Sequence, residues 1–447
     1  MIGQHVHMVG IGGIGMSALA RHLLSRGIAV SGSDRQPGEQ GEALRALGAT
    51  VYSGHEASHI AGADLVVITS AVAADNPEII AAKSAGIPVM KRAELLAEIA
   101  NPAFGIAVAG THGKTTTSAL IAHILTEAGR DPTVLIGGIS KNLGSNARVG
   151  GEITVIEADE YDASFLRLRP RLAVITNVEP DHLDFYGSAE NVHKAFRQFA
   201  GQVRDTLVVC ADDVGACDAA RASTARVMTY GLRPSDVQAE SLAPAPNRTS
   251  FTVKSTHGDQ AYTIPLAGLH NVRNALAAIA VAGRLDVPPA QIAAALTSFQ
   301  GVGRRLEVIG EASNIQVVDS YGHHPTEIRH DLAALGQSGR PIRLIFQPHT
   351  YSRTKSFLKD FATSFERAES VYLLDIYAAR ETDTLGISGS DLAAEAALHH
   401  PRVAYTASMG ATLRRVLDDV RPGDLVVTMG AGDVNRLGPQ VLERLRA

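Results

Sequence analysis

The residues best suited to chemistry are Lys114 and Thr115, which follow a short glycine turn in Val108–Thr117, V-A-G-T-H-G-K-T-T-T. An apolar run, Gly105–Ala109, enters the turn. Apolar residues at helical spacing leave it (Ala119, Ile121, Ala122, Ile124, Leu125). Strand, glycine loop and helix in that order aim backbone N–H groups and the positive end of a helix dipole at an anion. Gly110, Thr111, His112, Gly113 and Thr116 would line a phosphate cradle. Lys114 would reach the β- and γ-phosphates of ATP, and the Thr115 hydroxyl would ligate Mg²⁺. The usual phosphate loop places four residues between its glycines. Here only Thr111 and His112 separate Gly110 from Gly113.

Further polar residues gather where apolar runs end. Ile153–Ile156 runs into Glu157-Ala158-Asp159-Glu160. Leu172–Thr176 runs into Asn177 and then Glu179-Pro180-Asp181-His182-Leu183-Asp184. Open α/β sheets bind ligands at strand C-termini, and Mg²⁺ prefers oxygen ligands, so Glu157 fits beside Thr115. His182 is a less expected ligand. A histidine among acids serves capping and hydrogen bonding as well as metal ligation, and residue type leaves both open. Asn271 and Asn274, one turn apart, share a helix face. They suit a base or phosphate, or equally a helix cap and a surface amide. Arg304 and Arg305 follow Gly301-Val302-Gly303 on an apparent hinge. They suit phosphate clamping or a solvated charge pair.

The first hundred residues carry a second glycine loop. Val6–Val9 leads into Gly10-Ile11-Gly12-Gly13-Ile14-Gly15, helical spacing follows over Met16–Ser25, and Val30–Asp34 ends in an acid. With Gly10, Gly12, Gly13, Gly15 and Asp34 this is a dinucleotide-type fingerprint. Asp34 fits a ribose hydroxyl or a turn cap. Strands are expected at Thr50–Tyr52, Leu65–Thr69 and Pro88–Met90, with helices near Gly41–Leu47 and Asn76–Ala85. Asn101-Pro102 reads as a linker, Ile136–Gly138 with Lys141–Gly144 as a glycine-rich loop, and Pro234–Ile264 as short β segments. In the last third, Ile315–Val318, Ile342–Phe346, Val371–Leu374 and Leu425–Met429 each close in a polar or glycine loop. His323 and Arg353 lie on two of these loops and suit a carboxylate or an amine.

Alternating β and α patterns predict parallel sheets covered on both faces. At 447 residues the chain allows about three domains. We expect an α/β protein with a Rossmann-like N-terminal domain (1–100), a central P-loop-type ATPase domain with a mostly parallel sheet (101–305), and a C-terminal Rossmann-like α/β domain (306–447). A net charge of −5 without a basic run argues against a dedicated nucleic-acid surface. Cys210 and Cys217 alone make no disulfide scaffold and no zinc spacing. No signal-peptide pattern and no membrane-length apolar window are present, so a cytoplasmic protein is expected, monomer or homodimer.

These motifs together resemble the Mur ligase family across essentially the whole chain. G-T-H-G-K-T-T-T (110–117) is similar to that family's ATP loop, shortened spacing included. E-A-D-E-Y-D-A-S-F (157–165) and T-N-V-E-P-D-H-L-D (176–184) resemble its metal segments, and H-N-V-R-N-A-L-A (270–277) its nucleotide helix. G-I-G-G-I-G-M-S (10–17), D-S-Y-G-H-H-P-T-E-I (319–328), F-Q-P-H-T-Y-S-R-T (346–354) and D-I-Y-A-A-R-E (375–381) resemble the members that act on UDP-N-acetylmuramate and L-alanine. The resemblance implies ATP and Mg²⁺, and a UDP diphosphate rather than NAD on the first glycine loop. It implies phosphoryl stabilisation by Lys114, and Mg²⁺ held by Thr115, Glu157 and His182. It places Asn271, Asn274 and Arg305 on ATP, and His323 and Arg353 facing L-alanine. A tripeptide-adding member, a NAD-dependent oxidoreductase and a non-catalytic nucleotide-binding regulator are the competing readings. Thr350 stands where some relatives have arginine, and Ser320 where many have aspartate.

Overall fold

The computed structural model describes residues 2–69, 72–254, 259–379, 381–382 and 385–446. It consists of two compact units. The first is Met1–Glu179, Glu190–Gln238 and Asn274–Gln300; the second is Pro180–Ala189, Ala239–Arg273 and Gly301–Ala447.

Five parallel strands begin the first unit, in the order Thr50–Ser53, Ala29–Asp34, His5–Val9, Leu65–Ile68, Val89–Lys91. Val6, Met8, Val9, Val66 and Val67 are fully buried, as a parallel sheet with both faces covered requires. Helices Ile14–Ser25, Gly38–Ala46 and Pro77–Ser84 connect the strands. The last starts cleanly: the Asn76 side chain accepts from Glu78 N at 2.9 Å, and Pro77 occupies the first turn. A further helix, Arg92–Ala100, was not expected from the sequence. It follows the edge strand directly, and Glu94 accepts from Lys91 N at 2.8 Å.

Glu78 sits fully buried under this sheet. Its Oε2 accepts from Ser33 Oγ at 2.6 Å and lies 3.1 Å from His55 Nδ1. Its Oε1 lies 2.9 Å from His59 Nδ1 and 3.5 Å from His7 Nε2. Burial alone would raise the carboxyl pKa. Hydrogen bonds from His7, Ser33 and His59 outweigh it and hold the group at about 2.

The second sheet of this unit runs Arg226–Gly231, Thr206–Cys210, Leu172–Ile175, Phe104–Ala109, Ile153–Glu157, Thr133–Ser140, Ser145–Arg148. All these strands are parallel except the last, which pairs antiparallel with Thr133–Ser140. Phe104–Ala109 therefore lies between the strands that end in Glu157 and Asn177. Helix Lys114–Glu127 is buried from Thr115 to Leu125. Phe165 packs face-on against Phe199 and edge-on against Phe196, each at 5.0 Å. Of the expected glycine-rich loop, Lys141–Gly144 is the turn between two strands, whereas Ile136–Gly138 lies inside strand Thr133–Ser140, whose register is irregular between Leu135 and Ser140. Gly137 serves close approach rather than a turn: a Cβ there would lie 2.8 Å from Glu157 Oε2.

Strand Val237–Ala245 pairs through Val237 and Gln238 with Tyr230 and Gly231. From Ala239 it belongs to the second unit, in an antiparallel ribbon with Arg248–Val253 and Gln260–Ile264. Within that expected β region, residues 255–258 lie outside the described residues. The C-terminal sheet has six strands: Glu307–Ala312, Ile315–Ser320, Leu425–Met429, Ile342–Phe346, Ser370–Leu373, Val403–Tyr405. The first pair is antiparallel and the rest parallel. The four expected strands are present. Glu307–Ala312 and Val403–Tyr405 join them as edges too short or too polar to stand out in sequence. Among the described residues, no helix is long and apolar enough to cross a membrane.

Glu78 generates a stability prediction. Its folded pKa of about 2 lies below the ordinary 4.5, so its contribution is complete above that range and is lost as pH falls from 4.5 toward 2. Glu78→Gln should lower stability at neutral pH and flatten the acid fall. Denaturant melts across pH 2–6 would show both.

Candidate functional site

The short glycine loop has the conformation its residues require. Gly110 has φ +136°, and a Cβ there would come 2.0 Å from Thr176 Oγ1. Gly113 has φ +82°, and its Cβ would come 2.5 Å from Asn274 Oδ1. The neighbouring strand end holds the loop. Thr111 N donates to Asn177 O (3.0 Å) and His112 N to Asn177 Oδ1 (2.8 Å). Thr176 Oγ1 and Asn177 Nδ2 donate to His112 O at 2.6 and 3.1 Å. Thr111 Oγ1 accepts from Glu179 N at 2.9 Å, and His112 Nε2 lies 3.6 Å from Glu179 Oε2. Helix Lys114–Glu127 then starts with no side-chain cap and no acid in its first turn. That end is open to an anion.

Lys114 Nζ donates to Gly110 O (2.6 Å) and to Glu160 Oε2 (2.7 Å). Burial would lower its pKa, but Glu160, Asp159 and Glu157 outweigh that and raise it. The side chain is a fixed cation. Thr115 Oγ1 donates to Glu157 Oε1 at 3.1 Å, while Glu157 Oε2 accepts from Gly137 N at 2.8 Å. Thr115 and Thr116 are buried. Thr117, which the sequence reading did not single out, donates to Asn274 Oδ1 at 3.2 Å. Two hard oxygen donors side by side at the loop are a donor set that fits Mg²⁺. The sequence sets Glu160, Thr176 and Asn177 near strand ends without a role; in the structure Glu160 holds Lys114, and Thr176 and Asn177 hold the loop.

The paired asparagines divide their work. Asn274 belongs to the loop, whereas Asn271, in the second unit, donates Nδ2 to Ala267 O at 2.8 Å. The paired arginines also differ. Arg304, expected on a mobile hinge, is tied down: Nε donates to Asp319 Oδ2 (3.0 Å) and Nη2 to Gly430 O (2.7 Å). Arg305 lies over the Tyr321 ring, 3.6 Å from Glu327 Oε1, and is the less committed cation.

The second unit contributes its own polar cluster. Asp181 and Arg353 are 6% and 8% exposed. Arg353 Nε and Nη2 donate to Asp181 Oδ1 and Oδ2 at 3.1 and 3.2 Å, a bidentate pair. Burial would raise the Asp181 pKa, but Arg353 above all, then His182, His323 and His324, holds it far below the carboxylate range. Sequence reasoning saw Asp181 only as one of several acids. Its partner is 172 residues away. His182 has left-handed backbone (φ +52°), its N–H donates to Asp181 Oδ1 at 2.8 Å, and its Nε2 lies 3.8 Å from Asp181 Oδ2. His323 is pushed down to about 3, by burial first and by Arg353 and His349. A carbonyl only accepts, so the 2.9 Å contact between His323 Nδ1 and Tyr321 O places the ring proton on Nδ1. His323 is thus neutral at pH 7, with the lone pair on Nε2. Arg380, in the D-I-Y-A-A-R-E segment, lies outside the described residues.

At the first glycine loop, Gly10 has φ +84° and donates to Ser33 O at 2.7 Å. Gly13 N donates to Gly10 O (3.1 Å) and Gly12 N to Asp34 Oδ2 (3.1 Å). Asp34 Oδ1 accepts from Gln36 N at 3.0 Å. Asp34 thus ties the glycine loop to the turn that follows its strand. The N–H groups of Gly10, Gly12 and Gly13 are bonded within the fold.

Three family models match in chain order: the Mur ligase family catalytic domain over residues 5–103, the Mur ligase middle domain over 108–282, and the Mur ligase glutamate ligase domain over 304–432. A UDP-N-acetylmuramate–L-alanine ligase of Geotalea uraniireducens is 45% identical over 99% of this chain and 98% of its own length. That of Thermobifida fusca is 44% identical over 98% and 96%. The crystal structure of the UDP-N-acetylmuramate-alanine ligase of Thermotoga maritima matches with TM-score 0.85 and 30% identity over 98% of both chains. A murein peptide ligase of Psychrobacter arcticus matches with TM-score 0.75 and 26% identity over 99% of both.

Removing one partner of the Asp181–Arg353 pair strands a buried charge. Arg353→Ala should destabilise the fold by about 3–5 kcal/mol. Adding Asp181→Ala should recover a large part of that loss. A double-mutant cycle in chemical denaturation reads the coupling, and strict additivity would contradict the pairing.

Proposed function

This chain belongs to the Mur ligase family, and we propose that it uses ATP to join L-alanine to the lactyl carboxylate of UDP-N-acetylmuramate, in cytoplasmic synthesis of peptidoglycan precursors. The observation that carries the substrate assignment is the end-to-end likeness to alanine-adding relatives, 45% identical over 99% of the chain. The murein peptide ligase, at 26%, is the weaker match. We assign residues 1–100 to the UDP-sugar, 101–305 to ATP, and 306–447 to L-alanine and closure.

The chemistry follows from the residue types. A lactyl carboxylate oxygen attacks the γ-phosphorus as the bond to ADP breaks. The alanine amine then attacks the acyl phosphate carbon, loses its proton, and phosphate leaves as the amide forms. Phosphoryl transfer needs positioning and charge neutralisation rather than a protein nucleophile. Lys114, held protonated by the acids around it, supplies a fixed positive charge at the loop. Thr115 and Glu157, with His182, are the residues that would hold Mg²⁺, which when bound neutralises charge on phosphoryl oxygens. Asn274 braces the loop, and Asn271 and Arg305 are the remaining candidates for ATP contacts. His323 offers a neutral Nε2 acceptor suited to an amine. Arg353 faces the same region while neutralising Asp181 and donating to His349 O at 2.8 Å.

Phosphate release with ATP, Mg²⁺ and UDP-N-acetylmuramate should require an added amino acid, with L-alanine preferred over glycine, L-serine or tripeptide. Release indifferent to the amino acid would refute the assignment. Lys114→Ala should lower turnover by about 10²–10³-fold or more while UDP-sugar binding survives. Gly137→Ala, which drives a methyl group into the Glu157 carboxylate, should weaken Mg²⁺-dependent ATP binding in calorimetry without unfolding the chain.

A further inference from the structure

Arg305 and His323 serve different substrates in the proposed reaction, ATP and L-alanine, yet one carboxylate lies beside both. Glu327 stands in the first turn of helix Pro325–Leu335. Its Oε2 accepts from His323 N at 3.0 Å and from His324 N at 3.3 Å, and lies 3.5 Å from His323 Nδ1. Its Oε1 lies 3.6 Å from Arg305 Nη1. A helix cap accounts for the bond from His324 N alone. The contacts with His323 and Arg305 reach outside the helix. The Tyr321 ring closes the set: the Arg305 guanidinium lies 5.1 Å from its centre, and the His323 ring meets it edge-on at 5.3 Å. The Glu327 side chain is 12% exposed. Its charge is mostly removed from water, so the N–H groups and the guanidinium around it must answer it. The proton that Tyr321 O holds on His323 Nδ1 also lies beside this carboxylate, which leaves Nε2 as the lone-pair nitrogen.

We propose that Glu327 is a positioning residue that couples two substrates on the C-terminal sheet: Oε1 holds Arg305 for the ATP phosphates, and Oε2 holds the turn that presents His323 to the alanine amine. The inference rests on the reading of ATP and L-alanine as substrates, and it adds a residue assigned to neither. A carboxylate is one rigid planar group, so its two oxygens do not move independently. An arginine drawn toward phosphate and a histidine turn aimed at an amine therefore share one anchor.

Steady-state phosphate release by the full chain, with KM measured separately for ATP, L-alanine and UDP-N-acetylmuramate, tests this. Glu327→Gln keeps an oxygen for the His323 and His324 N–H groups but turns an NH2 group toward Arg305. It should raise KM for ATP by about three- to tenfold and leave KM for L-alanine within about twofold. Glu327→Ala removes both oxygens and should raise both constants by about fivefold. KM for UDP-N-acetylmuramate should stay within about twofold in each variant. A role limited to capping the helix would lower the melting temperature and leave every KM unmoved, and that result overturns the proposal. An unchanged KM for ATP in Glu327→Gln overturns the hold on Arg305, and an unchanged KM for L-alanine in Glu327→Ala overturns the hold on the His323 turn. If phosphate release by the unaltered chain does not depend on L-alanine, the substrate reading itself falls, and the coupling with it.

Discussion

The Gly110 backbone passes so close to Thr176 and Asn177 that any side chain would collide with the Thr176 hydroxyl. That contact sets the geometry of the nucleotide loop. It is available because Phe104–Ala109 runs parallel to Leu172–Ile175 in register, Ala109 opposite Ile175. Strand pairing thus brings Asn177 under the loop, and Asn177 uses both its backbone and its amide to hold His112 and Thr111. On the other side, Val108 pairs with Glu157, which delivers a carboxylate to Thr115. A two-residue glycine spacing works because a neighbouring strand does what the longer loop does for itself elsewhere.

Three buried charges among the described residues are answered by close neighbours. Lys114 has Glu160, Arg353 has Asp181, and Glu78 has Ser33 with three histidines around it. Such pairs seldom add much net stability, but breaking one is costly. Their value is positional. A paired lysine is held in one rotamer with its charge assured, and an imidazole beside a guanidinium stays neutral. Lys114 and His323 consequently present opposite characters, a permanent cation and a lone-pair acceptor. A reaction that first moves a phosphoryl group and then needs a free amine calls for both.

The two glycine loops look alike in sequence and differ in how they spend their backbone. The first loop turns its N–H groups inward, onto Ser33, Gly10 and the Asp34 carboxylate. The second is held from outside by Asn177, and the lysine of its helix reaches back across it to Gly110 O. An acid at the end of the second strand fits a ribose by spacing, and here it also ties the loop to the following turn.

Three α/β layers, the phosphate loop and the order of the polar segments were legible in the sequence. Apolar runs, glycines and strand-end acids are local signals, and a strand ending beside a helix start has one geometry wherever it occurs. Ile136–Gly138 reads as loop because Gly137 and Gly138 look like turn residues, yet it lies in strand Thr133–Ser140, and the Glu157 carboxylate beside Gly137 explains why a glycine stands there. Arg304 and Arg305 were indistinguishable by type, and folding separated them by giving Arg304 the Asp319 carboxylate. Asp181 with Arg353 and Glu160 with Lys114 were likewise beyond the sequence. An ion pair between residues far apart in the chain depends on which strands become neighbours and in what register. That choice is made by burying apolar surface over a whole sheet, and no short stretch of residues carries it. Residue types and spacing determined what chemistry this chain is equipped for; the tertiary structure decided which charges meet.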